Sequence, residues 1–166
     1  MVNIGKFRNE DLSMYCWLRE LLKGKVKRVM DAYPYTDLEE QKLEVPSASI
    51  EHRLTEEFQS ELGSSWFRRM WAIDIFATND KQRDELADIV FQALNDAIPI
   101  KDFSGGYYIL SDCCKKNAIG ADLEIIESVI PEQRTMQPSY AWGEPTMKYW
   151  HMVITYETAS TSVNTP

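Results

Sequence analysis

Apolar side chains recur along this chain at two spacings. Over residues 66–77 they alternate: Phe67, Trp71, Ile73, Ile75 and Ala77 take the odd positions, with Arg69 the charged exception. The even positions mix Arg68, Met70, Ala72, Asp74 and Phe76. Period-two alternation of this kind predicts a central strand with one face in a core. Thr78-Asn79-Asp80 breaks it. Asn79, followed three residues later by Gln82, fits a helix N-cap with its reciprocal partner, and Asp80 adds negative charge where a helix N-terminus favours it. Leu86, Ile89, Val90, Ala93, Leu94 and Ala97 then fall on one helical stripe, which predicts a helix over 80–96 laid against the sheet. Pro99 ends it, because proline removes a donor and keeps the preceding residue out of the helical region.

The same patterns place the other elements. Leu12, Tyr15, Cys16, Leu18, Leu21 and Leu22 recur at helical spacing and predict a helix over 10–23, capped by Asn9 or Asp11 and stopped by Gly24. Residues 25–32 alternate loosely as a short strand, and 33–37 form a turn bearing Tyr33 and Tyr35. Residues 45–54 predict a strand entered through Pro46, with Ala48, Ile50, His52 and Leu54 on one side. His52 is the polar group on that side, expected to be a hydrogen-bonded structural histidine. Residues 55–62 read as a linker or short helical turn that joins this strand to 66–77 as an antiparallel neighbour. Two further strands are expected over 122–130 and 147–157. Residues 101–120 read as an irregular loop, 131–146 as an extended arm without regular structure, and 159–166 as a frayed polar tail. The fold class expected is α+β, an antiparallel or mixed sheet of about four main strands packed against two helices in a single domain over 1–158.

Composition narrows the function classes. With 166 residues, 44% of them apolar and 11% aromatic, the chain can bury a core without staples. No apolar run approaches the roughly 20 residues a membrane helix needs, and the N-terminus lacks the apolar region of a secretory signal, so folding in a cytoplasm is expected. Cys16, Cys113 and Cys114 are odd in number, with two adjacent, which suits reduced packing thiols. The net charge of −8 is uneven: residues 1–30 hold seven Lys/Arg against three Asp/Glu, leaving eleven against twenty-three elsewhere. An acidic body repels nucleic-acid phosphates. The basic cluster Lys23, Lys25, Lys27 and Arg28 reads as a solvated helix end and edge strand.

Candidate chemistry is sparse. No G-x-S-x-G, H-E-x-x-H, P-loop or paired C-x2-C motif occurs, Gly105-Gly106 lacks phosphate-loop spacing, and His52 and His151 stand far apart. No cofactor, no metal and no enzymatic activity are expected. Asp74 on the central strand and Asp80 beyond its end are the best-placed carboxylates for catalysis, though structural roles, a satisfied strand carboxylate and a helix-end charge, are the favoured reading of both. In the arm, Met136, Tyr140 and Trp142 present large apolar side chains suited to a partner contact; packing of Trp142 under its own sheet is the alternative.

The run Ser49-Ile-Glu-His-Arg53, the strand and helix from Trp71 to Val90, and Ile98-Pro-Ile100 resemble the strand-strand-helix-strand core of tailed-phage neck proteins of the tail-terminator and tail-completion type. The resemblance covers about half the chain and brings no catalytic residue with it. It implies a virion structural protein: a homo-oligomer, a hexameric ring that caps the tail tube and joins it to the head-side connector or stopper, with DNA passing through without specific binding and no membrane involved. A head-side stopper or baseplate subunit is the alternative within that class, and a small enzyme or ligand-binding domain using Asp74 and the 101–120 loop is the alternative outside it. Met136, Tyr140 and Trp142 would then make the intersubunit or tail-tube contact.

Overall fold

The structure, a computed structural model, describes residues 5–61, 64–103, 123–139 and 149–163. Its centre is β3 (Ser64–Ala77), flanked in one five-stranded sheet by β2 (Ser47–Glu61) and β1 (Arg28–Met30) on one side and by β7 (Trp150–Val163) and β6 (Glu132–Ser139) on the other. β1 runs parallel to β2; every other pair is antiparallel. β4 (Ile98–Lys101) and β5 (Ile125–Val129) form a separate antiparallel pair. With the helices α1 (Gly5–Leu21), α2 (Tyr35–Glu39) and α3 (Asp80–Ala93), the fold is α+β as the periodicity predicts.

Alternation puts Trp71, Ile73 and Ile75 on the face covered by α1 and α3. There they bury with Leu12, Met14 and Leu18 of α1, Leu86 and Val90 of α3, and Met152, Ile154 and Tyr156 of β7. Cys16 packs against this core. The expectation of one buried face is too small, however, because residues 71–77 of β3 are buried on both sides. A second, smaller core forms on the other face, where Phe76 meets Met30, Leu43 and Tyr149 under Tyr33, Leu38 and Val45. The segment between β1 and β2 folds over that face as a strap, and its turn at Tyr35 is a short helix.

Local signals hold at the start of α3 and the end of α1, but α1 begins at Gly5, so Asn9 and Asp11 lie inside it rather than capping it; Asn9 Oδ1 instead accepts from the Phe103 N–H and Asp11 Oδ1 from Arg69 Nη2. Asn79 Oδ1 accepts from the Gln82 N–H at 2.8 Å, and the Gln82 side chain returns to the N–H and hydroxyl of Thr78, at 3.0 and 2.8 Å. Three donors at the start of α3 are thereby satisfied. Asn79→Ala is expected to cost about 1 kcal/mol in denaturant unfolding, against a few tenths for Asn79→Gly, which retains the cap backbone. Gly24 adopts φ +78 just beyond α1, the left-handed conformation that ends helices and disfavours a side chain.

Four other expectations need correction. Residues 55–61 are not a linker but the second half of β2, paired with β3 as far as Glu61↔Ser64 through two register shifts. The strand predicted over 122–130 lies in the small pair with β4 rather than in the main sheet. The arm expected over 131–146 is regular over 132–139, where β6 forms an edge strand on β7, a position in a sheet where proline such as Pro138 is tolerated. The tail is ordered through Val163, since β7 pairs Ala159–Val163 with Arg68–Ser64. Residues 55–61, 132–139 and 159–163 are largely polar on both faces, so no sustained hydrophobic alternation marks them.

Candidate functional site

Arg69, the charged intruder in the apolar face of β3, is 2% exposed. It is held from every side. Nη1 donates to Glu10 Oε2 at 2.8 Å and to the Phe7 carbonyl at 3.3 Å, Nη2 to Asp11 Oδ1 at 2.9 Å, and Nε to Thr55 Oγ1 at 3.1 Å. Its planar head also lies over the rings of Phe7 and Trp71, at 4.8 and 4.7 Å. A delocalised guanidinium suits this setting because it satisfies carboxylates edge-on and aromatics face-on. Glu10 is 1% exposed; burial pushes its carboxyl above the usual range, and the Arg69 hydrogen bond and charge oppose that shift.

Asp74 sits on the opposite face of β3, and the structure brings it to His151 rather than to Asp80. Asp74 Oδ1 lies 2.6 Å from His151 Nε2, with both side chains nearly sealed from solvent. Arg53 Nη2 stands 3.9 Å from Asp74 Oδ2 and its Nε is 2.9 Å from Glu51 Oε1, while Glu51 Oε2 accepts from the Tyr33 N–H at 3.4 Å. The His151 ring stacks on Phe76 with centroids 4.6 Å apart and 14° between planes. Burial, and then the Asp74 charge, raise the Tyr33 hydroxyl pKa. An imidazole–carboxylate pair is acid–base machinery in principle, but a buried pair stacked against aromatic rings gives a substrate no approach. Here it ties β3 to β7 under the second core. Asp80 accepts from the Lys81 N–H on the exposed first turn of α3. His151 was legible only as a strand position; its parity, opposite to Met152 and Ile154, is the signal that puts it on Asp74's face.

A notch of about 350 Å³ opens on the helix-covered side where β1 ends. Leu12, Tyr15, Ile50 and Trp71 make its apolar wall, and Arg8, Asp11, Asp31 and Glu51 line it as well. His52, at the same mouth, lies 2.6 Å from Thr55 Oγ1 and edge-on to Trp71. That hydrogen bond is what the sequence leads one to expect of it, and desolvation and the Arg69 charge lower its pKa. Among the described residues no group of three or more His, Cys, Asp or Glu could hold a metal ion, and no helix is long and apolar enough to cross a membrane.

Among the described residues the sheet has two open sides: the outer side of β2 is paired only over Ser47–Ser49, with β1, and β6 is paired only with β7. Met136 lies on β6 opposite Ile154 and is 38% exposed. Tyr140 and Trp142, the other two contact residues expected from the sequence, lie outside the described residues, as do Cys113 and Cys114. No protein-family model and no curated protein matches the sequence.

Proposed function

We propose that this chain is a structural ring subunit of a tailed-phage neck, capping the tail tube and joining it to the head-side connector, with no enzymatic activity and no cofactor. The observation that carries the reading is that, among the described residues, the sheet has a pair of open edges, β6 at one end and the free length of β2 at the other. A head-to-tail ring needs two different surfaces on opposite sides of each subunit, whereas a two-fold dimer needs one. The residues that carry the family resemblance also fall on β2, β3, α3 and β4 in the order strand, strand, helix, strand. The acidic body suits a conduit that repels the phosphates passing through it. Met136, Tyr140 and Trp142 remain the proposed contact with the neighbouring subunit or the tube.

The test is the particle formed. Light scattering over a concentration series, with negative-stain images of the protein alone and mixed with tail tubes, should show rings of six or subunits seated on tube ends. A chain that forms no ring and leaves tube ends bare would sink the reading, and rings bound to the baseplate end would place the subunit there instead.

A further inference from the structure

We infer that neighbouring copies join by sheet extension: the outer edge of β6 of one copy pairs with the outer edge of β2, from Ile50 onward, of the next, and Met136 enters the notch beside α1. This rests on the ring reading and adds the contact that builds it.

The edge is available because of where the chain goes after β1. Tyr33 lies against Phe76 and His151 on the second face, so the strap leaves the plane of the sheet just past Met30. Of the fifteen residues of β2, three pair with β1, which leaves the stretch from Ile50 without an outer strand among the described residues. β6 is eight residues long, short enough to lie alongside it. Direction agrees as well. β2, β3, β7 and β6 alternate, so a second copy in the same orientation brings its β6 antiparallel to β2, the hydrogen-bonding arrangement of the rest of the sheet.

Side-chain parity then decides what meets the notch. Met136 opposes Ile154 and Pro138 opposes Met152, which puts the even positions of β6 on the helix-covered face. Ile50 opposes Ile73 and His52 opposes Trp71, so the notch opens on that same face. In a continuous sheet the faces run on from copy to copy, and Met136 arrives over Leu12, Tyr15 and Ile50. An unbranched thioether adapts to an irregular apolar hollow of this kind. Arg134 is held within its own subunit by Asn95 Oδ1 and the Phe91 ring of α3, which leaves Met136 as the β6 side chain that reaches the notch. Pro138 offers no N–H and stops the pairing near Gln137, which limits uncontrolled edge growth.

Met136→p-benzoylphenylalanine in the full-length chain, irradiated as a mixture of isotopically heavy and light copies, tests the contact. Heavy–light crosslinks should map to the notch, at residues such as Leu12, Tyr15, Asp31 and Ile50. Crosslinks between copies that map elsewhere, or no heavy–light crosslinks among copies assembled in rings or on tube ends, would overturn sheet extension while leaving the ring reading standing; a chain that stays monomeric at every concentration and also leaves tube ends bare would remove both. Met136→Lys should weaken self-association about tenfold or more with the thermal midpoint unchanged, as for an interface anchor. A midpoint several degrees lower would assign Met136 to its own subunit's packing and overturn the inference.

Discussion

Arg69→Ala is expected to destabilise the fold by about 3–5 kcal/mol, because it strips the counter-charge from a carboxylate that is already buried. Glu10 is almost fully enclosed and Arg69 Nη1 is its charged partner at 2.8 Å. The substitution also removes the group lying over Phe7 and Trp71 and leaves Thr55 without that donor. The loss should depend on pH in a definite direction. Burial raises the folded-state pKa of Glu10 above the ordinary 4.5 of a glutamate, so the folded chain holds that proton more tightly than the unfolded chain. Its contribution is therefore full below about 4.5 and is lost as pH rises through the folded-state pKa. Without Arg69 that pKa rises further, so the penalty of Arg69→Ala should be largest at neutral pH and shrink on acidification. Denaturant unfolding of both chains at pH 8 and pH 5 measures it. A penalty that is equal at both pH values would mean Glu10 is not the stranded charge. The double replacement Arg69→Met with Glu10→Gln should recover much of the loss, since no unpaired buried charge is left.

Phe76→Ala is expected to cost about 3–5 kcal/mol, as much as a large truncation in the main core. Phe76 is 1% exposed, stacks on His151, and meets Tyr33 edge-on at 5.8 Å between centroids. Truncation opens a hollow among Met30, Leu43 and Tyr149 that the strap cannot collapse to fill without moving. Hydrogen exchange over residues 33–45 should accelerate along with the drop in stability, because that segment packs on Phe76. A cost under about 0.5 kcal/mol would mean the even face of β3 is solvated, as the mixed residues at 68–76 suggest from sequence alone.

That contrast locates what could be read without the fold. The alternation of 67–77, the Asn79–Gln82 cap, the helix after it and the turn at Gly24 are all present as expected, and each depends on residues within a few positions of one another. β6, the far half of β2 and the end of β7 were missed, because strands polar on both faces exist only through their partners: Glu56 is set beside Arg68 and Thr135 bonds Thr155 across the ladder. Met136 was singled out, and the structure leaves it exposed on an edge strand rather than on an irregular arm.

By itself, then, the amino-acid order determined an α+β chain with a buried central strand, a capped helix after it and an acidic surface, since periodicity, capping and charge are local or additive properties. Only the tertiary structure decided that Arg69 belongs with Glu10 and Asp11, that Asp74 belongs with His151, and that β3 has a core on each side. Those partners stand 59, 58 and 77 residues apart, and no local pattern reports which distant side chains a buried charge will meet.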